Sequence, residues 1–208
     1  MRNSLISVCV VLISAVCAGA WQPAGTGKDG VKQGANQGAP GHEERPEYKL
    51  LSDMCGTFDL KMTITPRPGA KPLVVSATAT REMVLGGRFM VERVDAKEPM
   101  PFGSISYMGF NPDAKDGPRF EVVRMSTSTK CLMPERGTYD AAKKMFTLSG
   151  EHEIDGMTGR IRNEIKIADL DHQVVETTLA FEGYSDAMKG MKVPDYHAMT
   201  MEYTRKGK

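Results

Sequence analysis

The sequence predicts an all-β protein, a single antiparallel up-and-down β-barrel of about ten strands with a short helix at its N-terminal side. Residues 56–65 alternate strictly between apolar and polar side chains, which is typical of a strand with one buried face and one wet face. Residues 197–205, near the C-terminus, alternate in the same way. We expect these two segments to pair and close the barrel. The intervening chain reads as short strands separated by turns, without the long helices that a parallel sheet requires.

Each remaining strand is predicted from its alternation and from the turn residues that bound it. The predicted strands span residues 57–65, 73–84, 88–96, 102–110, 119–128, 131–139, 145–151, 159–168, 173–183 and 196–205. Glycine, asparagine and aspartate mark the turns, as in Gly86-Gly87 and Asp155-Gly156. Residues 47–54 show helical spacing after Pro46, and we expect this helix to plug one end of the barrel.

The connections between strands are unequal at the two ends of the predicted barrel. Those that follow the odd-numbered strands, such as residues 66–72 and 97–101, are long and rich in proline. The connections at the other end are mostly tight turns. We therefore expect an open mouth at the first end and a closed floor, next to the helix, at the second.

The first 20 residues are typical of a secretory signal peptide. Arg2 precedes an apolar run over residues 5–17, and Ala18-Gly19-Ala20 fits a cleavage site. This predicts export to the periplasm or the extracellular space. An uncleaved anchor fits less well, because the run is shorter than the ~20 residues of a spanning helix. Acylation at Cys17 also fits less well, because Val16 is bulkier than the residue that usually precedes such a cysteine.

Beyond the leader, the chain divides into two parts. Residues 21–46 are rich in glycine, glutamine and proline, and we expect a disordered linker because they cannot bury enough apolar surface to fold. Residues 47–208 form the predicted barrel domain. The formal net charge of the whole chain is +1 at pH 7, which gives no support for a nucleic-acid partner. We expect no membrane span in the mature chain, and the oligomeric state is left open.

Removal of the predicted signal peptide would leave two cysteines in the chain, Cys55 and Cys131. Disulfides are common in exported proteins, which favours a bridge between them. The predicted topology places Cys55 at the floor and Cys131 near the mouth. Strands of this length separate the two ends by more than ~20 Å, whereas a disulfide needs Cα atoms within about 7 Å. We therefore expect two free thiols.

Five stretches together resemble the bacterial family called domain of unknown function 1579, which looks like a calycin-type barrel without an assigned biochemical role. They are Gly56-Thr57-Phe58, Thr78-Ala79-Thr80-Arg81 with Leu85-Gly86-Gly87-Arg88-Phe89, Tyr107-Met108-Gly109-Phe110-Asn111, Gly137-Thr138-Tyr139-Asp140, and Glu202-Tyr203-Thr204-Arg205. The wider calycin group, including lipocalins, has Gly-x-Trp on its first strand and a late arginine packed across the tryptophan. The resemblance implies a structural floor of Gly56, Phe58 and Arg205, with phenylalanine in place of tryptophan. Arginine can stack on such a ring and donate to loop carbonyls.

Strand alternation assigns a set of residues to the inside of the barrel as a candidate ligand pocket. The set is Met62, Ile64, Leu179, Phe181, His197, Met199, Met201 and Tyr203. Methionine offers adaptable apolar surface for a ligand, although it also fills irregular cores. His197 is a candidate axial ligand for haem, and ordinary core packing is the alternative. No other cofactor is expected.

The sequence contains no recognisable catalytic motif and no pair of histidines at metal-site spacing. Glu164, Glu176 and Glu182 fall on outward positions opposite Arg160, Arg162 and Lys166, which is explained by cross-strand charge pairing. Among ionisable residues, only Arg205 and His197 are expected inside.

The sequence thus predicts an exported, non-enzymatic barrel that binds a small hydrophobic or amphipathic molecule. One alternative is an enzyme that uses the same cavity, which an inward-facing pair of ionisable groups would favour. Another is a structural or interaction module whose barrel is filled by its own side chains.

Overall fold

A computed structural model of the protein describes residues 45–97, 100–129 and 131–207. One helix, α1 (Pro46–Asp53), precedes ten strands. The strands are β1 (Gly56–Ile64), β2 (Leu73–Val84), β3 (Phe89–Ala96), β4 (Phe102–Asn111), β5 (Arg119–Ser126), β6 (Met133–Asp140), β7 (Met145–Ile154), β8 (Met157–Ile167), β9 (His172–Gly183) and β10 (Lys192–Arg205).

The ten strands form a closed antiparallel barrel in which each strand pairs with its neighbours in the chain. β1 and β10 close it, with Phe58 opposite Arg205 and Met62 opposite Met201. The predicted fold class, strand number and closing seam are therefore confirmed. Closure leaves none of the described strands with an unpaired edge, and an unpaired edge is what allows strands of this length to associate edge to edge.

The largest differences from the predicted strand boundaries lie at the mouth. β7 and β8 stay paired up to Ile154 and Met157, several residues beyond the predicted ends. A two-residue turn joins them, with positive φ values of 47° at Asp155 and 81° at Gly156. Such a turn matches the twist of the strands, so pairing continues to the tip. β10 likewise begins at Lys192, before the predicted residue 196.

Helix α1 lies at the floor end of the barrel. Pro46 occupies its first turn, where the missing N–H costs no helical hydrogen bond. Leu51 and Met54 are buried in the main core, and the Tyr48 ring packs edge-on against Phe110 at 6.4 Å. The helix therefore covers the floor with its apolar side chains.

Inward-facing side chains form two apolar clusters. The larger one extends from α1 along the barrel as far as Ala96 at the mouth end of β3, and it includes Phe58, Phe146 and Leu148, all at 0% exposure. The smaller one lies near the mouth, where Ile154, Met157 and Phe181 pack together beneath the loop that joins β9 to β10. The polar side chains described below lie among these inward positions.

The orientation of His197 differs from the prediction. β10 has register shifts against β9 between Val193 and Tyr196 and again between His197 and Met199. The second shift inserts an extra residue, so Ala198 is buried and His197 is exposed. A β-bulge of this kind reverses the strict alternation on which the inward assignment depended.

Cys55 and Cys131 are both free thiols, as predicted. Residues 1–44 lie outside the described residues, so the signal peptide and nearly all of the linker remain predictions. Within the described part of the chain, no helix combines the length and apolar character needed to cross a membrane.

Candidate functional site

The floor of the barrel brings together the three residues that the calycin resemblance suggested. The guanidinium carbon of Arg205 lies 4.8 Å from the centroid of the buried Phe58 ring. Its Nη1 donates to the Cys55 carbonyl at 2.6 Å, and Nη2 donates to the Leu170 carbonyl at 2.9 Å. A carboxylate oxygen of Asp171 lies 2.9 Å from Nε. Arg205 therefore joins the chain before β1 to the turn before β9, and closes the floor.

Gly56 makes this approach possible. A Cβ atom at residue 56 would collide with Nη1 of Arg205. The backbone also has a φ of 149°, which L side chains rarely adopt. Glycine is therefore required here both by its conformation and by the close contact with the guanidinium.

Above the floor, an ion pair is buried inside the barrel. Nε of Arg81 lies 2.6 Å from Oε2 of Glu92, and the two side chains are 3% and 8% exposed. Nη1 of Arg81 donates to the Gln173 side-chain oxygen at 2.5 Å. The Arg81 guanidinium carbon also lies 4.3 Å from the centroid of the Tyr203 ring. These contacts satisfy a charge that burial would otherwise strongly disfavour.

Burial and the opposite charges compete in setting the ionisation of this pair. Burial would raise the pKa of Glu92, but the guanidinium groups of Arg81 and Arg124 outweigh it and keep that pKa below its ordinary value. Burial, together with the Glu92 carboxylate, raises the pKa of the Tyr203 hydroxyl. Glu92 is therefore charged and Tyr203 neutral near pH 7.

A second buried chain of polar groups crosses the barrel from β5 to β9. Glu135, whose side chain is 0% exposed, accepts from Nε of Arg124 at 3.4 Å and from the Asn163 amide at 2.7 Å. The Asn163 oxygen in turn accepts from the Thr177 hydroxyl at 2.6 Å. The Arg124 side chain is 16% exposed. Of the four residues in these two inner ion pairs, Arg81–Glu92 and Arg124–Glu135, Arg124 is therefore the most accessible to solvent.

His152 adds an unsatisfied polar atom to this layer. Its Nδ1 is buried and has no hydrogen-bond partner among the described residues. The ring lies over Gly159, where an added Cβ would collide with it, and packs edge-on against Phe181 at 6.5 Å. Burial lowers the pKa of His152, and the Glu135 carboxylate offsets this only in part. The imidazole is therefore neutral near pH 7.

The residues predicted to line a pocket fall into four groups. Met62, Met201 and Tyr203 are almost fully buried within the main core, and Phe181 belongs to the cluster near the mouth. Ile64, Leu179 and Met199 point inward but are only half-buried. His197 lies on the outside and shares a 2.8 Å hydrogen bond with Thr200, so the interior contact expected of it is absent.

The expectation that Arg205 and His197 are the ionisable residues inside was wrong. Two ion pairs lie within the barrel, and their members occupy the inward positions of β2, β3, β5 and β6. For the pair of Arg81 and Glu92, the signal in the sequence is a charge at a position whose neighbours two residues away are apolar. Glu92 between Met90 and Val94 is one example, and Arg81 between Ala79 and Met83 is another.

The outer face of β5 to β9 carries a cleft of about 1150 Å³. Its walls alternate in charge and include Arg136, Arg160, Arg162, Glu151 and Glu164. Arg160 lies 3.9 Å from Glu182 on the neighbouring strand, as predicted for the outward charges. Arg162 instead pairs with Glu164 on its own strand, and Glu176 lies opposite Glu164 rather than an arginine. Neutralised pairs of this kind are typical of a solvated sheet face.

The family described as "Protein of unknown function (DUF1579)" matches residues 43–205, which include the helix and all ten strands. No curated protein matches the chain.

Proposed function

The chain belongs to the DUF1579 family of proteins of unknown function, and we propose that it is an exported, non-enzymatic barrel that binds a small hydrophobic or amphipathic molecule in the mouth half of its interior. One observation carries this proposal. The inward-facing Ile64, Leu179 and Met199 remain half-buried, although they lie next to a fully packed core. Inward-facing apolar side chains that stay partly exposed are favourable contacts for an apolar ligand.

The buried polar chain makes the proposed site amphipathic. Thr177 is opposite Met199 in the pairing of β9 with β10, and its hydroxyl continues through Asn163 to Glu135 and Arg124. A molecule with an apolar body and a polar end would match apolar and polar groups that lie side by side in this way. A few fixed polar groups in an apolar pocket are the usual means of orienting a ligand.

Ligand binding is tested by native mass spectrometry of the purified chain and by titration with a fluorescent apolar probe. We expect a retained small molecule, or saturable probe binding at one site per chain. Ile64→Glu should weaken probe binding on the order of tenfold or more, because it places a charge in the apolar mouth. Val74→Glu is the matched control, because Val74 is 51% exposed on the adjacent strand.

An absence of both a retained mass and saturable binding would contradict the proposal. That result would favour the interaction module with a filled barrel, whose main support is the packing of Met62, Met201 and Tyr203.

An enzyme is the second candidate, and the two inward ion pairs are the observation that favours it. Glu92 is held in its charged form by two arginines, which makes it a poor proton donor near pH 7. The neutral, half-buried His152 is the more suitable base. Conversion of an added molecule over time, abolished by His152→Gln, would support an enzyme and contradict a binding role alone.

Export is tested separately by expressing the full chain in a bacterium and sequencing the N-terminus of the product outside the cytoplasm. A mature chain that begins at Trp21 is expected. A product retained in the cytoplasm with Met1 at its start would contradict export without affecting the binding proposal.

A further inference from the structure

The charges inside the barrel cancel. Two guanidinium groups, Arg81 and Arg124, face two carboxylates, Glu92 and Glu135. At the floor, Arg205 is paired with Asp171. Two further inward-facing titratable groups, His152 and Tyr203, are uncharged near pH 7 for the reasons given above. The interior therefore has no net charge to offer an ionised ligand.

The arginines of the two inner ion pairs differ in how many of their N–H donors remain without an acceptor in the part of the chain that the structure describes. Arg81 is enclosed by Glu92, Gln173 and the Tyr203 ring. Arg124 makes one hydrogen bond within the described residues, from Nε to Glu135, and its side chain is partly exposed. A guanidinium carries five N–H groups, so several donors of Arg124 remain for a further acceptor.

The carboxylate next to Arg124 has no such freedom. Glu135 is fully buried and already accepts from both Arg124 and Asn163. A second carboxylate placed on Arg124 would lie close to Glu135 and would add an uncompensated negative charge in a low-dielectric interior. A neutral oxygen would accept the same N–H groups without that cost.

On the basis of the function proposed above, we propose that the ligand is an uncharged amphipathic molecule whose polar end carries an acceptor oxygen, as in an ester, amide, ketone or alcohol. That oxygen accepts from the guanidinium of Arg124, and the apolar body contacts Ile64, Leu179 and Met199. Free carboxylic acids of the same length are disfavoured, because Glu135 repels them. Selectivity of this kind depends on a repulsive element as much as on an attractive one.

The unsatisfied Nδ1 of His152 is an independent sign that the polar layer is incomplete without a further group. A buried polar atom without a partner costs free energy, so native proteins rarely leave one. His152 follows Gly150 by two residues on β7, and a Cβ on Gly150 would meet the backbone of Glu135, so His152 lies next to the inward position of Glu135. A hydroxyl or carbonyl in this layer would supply the missing hydrogen bond.

The test compares two probes with the same acyl chain, a pyrene-labelled fatty acid and its methyl ester, at pH 7.5 and below their critical micelle concentrations. We expect the ester to bind more tightly by on the order of tenfold or more, a difference of about 1.4 kcal/mol or above. Glu135→Gln gives the interior one net positive charge and should reverse the preference toward the acid. Arg162→Gln, on the outer face, should leave the preference unchanged.

The outcomes separate this inference from the function on which it rests. Saturable binding of the acid as tightly as, or more tightly than, the ester would overturn the choice of a neutral ligand and leave a binding function in place. Binding of neither probe, with no molecule retained on native mass spectrometry, would overturn both. Because the wild-type comparison needs no substitution, the inference stays testable even if Glu135→Gln does not fold.

Discussion

Arg205 lies directly opposite Phe58 in the pairing of β1 with β10, with its guanidinium carbon 4.8 Å from the ring centroid. The pairing joins the first strand of the barrel to the last. The same guanidinium donates to the carbonyls of Cys55, Asp53 and Leu170. One side chain therefore fastens the helix, the closing seam and a floor turn.

The first prediction concerns this contact. Phe58→Ala should lower the free energy of unfolding by ~3–5 kcal/mol, as for other fully buried phenylalanines. Arg205→Ala should also destabilise the protein, through the same ring and the carbonyls. In urea unfolding, the double variant should show a coupling energy of roughly 0.5–2 kcal/mol. Strict additivity of the two single effects would mean that the ring and the guanidinium do not interact in solution.

The second prediction concerns Gly56. Gly56→Ala should cost about 1–3 kcal/mol, because alanine would be strained at this φ and its Cβ would displace Nη1 of Arg205. Gly103→Ala is the matched control, since its Cβ would meet only ordinary contacts, the closest 3.5 Å from Thr127. Thermal unfolding compares the two variants. Equal effects would indicate that the Arg205 contact is not what requires glycine at residue 56.

The barrel was predictable from the sequence because its signal is local and periodic. Strict alternation in residues 56–65 and 197–205 identified the two closing strands, and turn residues separated the others. Each strand pairs with its neighbours in the chain, so no choice among topologies was needed. The floor was also anticipated, through the resemblance of Gly56-Thr57-Phe58 and Arg205 to the calycin pattern.

The inner ion pairs and the position of His197 were harder to predict, for different physical reasons. Glu92 and Arg124 share strand faces with apolar residues, but a single charged side chain is assigned outward unless its partner on the neighbouring strand is known. Arg81 and Glu92 lie on adjacent strands, so their pairing depends on the register of a hairpin. His197 was placed inside because alternation was extended through a bulge. Pro194 signals an irregular strand nearby, whereas the shift at His197 has no evident mark in the sequence.

The third prediction concerns the thiols. In a chain that begins at residue 21, unfolded without reductant, we expect two reactive thiols per molecule, from Cys55 and Cys131. In the folded protein Cys55 should react more slowly than in the unfolded chain, because burial raises the pKa of its thiol and its Sγ contacts the Leu51 carbonyl at 3.5 Å. Titration with a chromogenic disulfide reagent measures both. A peptide map that links residues 55 and 131 would contradict the mouth and floor assignment of the two cysteines.

The fourth prediction concerns the pH dependence of stability that Glu92 confers. Arg81 and Arg124 hold the pKa of Glu92 below its ordinary value of 4.5, so the folded protein binds this proton less readily than the unfolded chain. The stabilisation is therefore complete above pH 4.5 and is lost as the pH falls through the lower, folded pKa. Glu92→Gln should lower the free energy of unfolding at pH 7 by roughly 3–5 kcal/mol, because Arg81 stays buried without its counter-charge. Below pH 4.5 the stability of the wild type should fall more steeply than that of the variant.

Urea unfolding at a series of pH values from 7 to 3 measures this difference. Glu202→Gln is the control, because Glu202 forms an exposed ion pair with Lys61 at 2.8 Å and such pairs contribute at most about 1 kcal/mol. The control should be close to the wild type in both its stability and its pH profile. If Glu92→Gln and the wild type lost stability in parallel below pH 4.5, Glu92 would not carry a depressed pKa in the folded protein, and the neutral balance of charges inside the barrel would have to be revised.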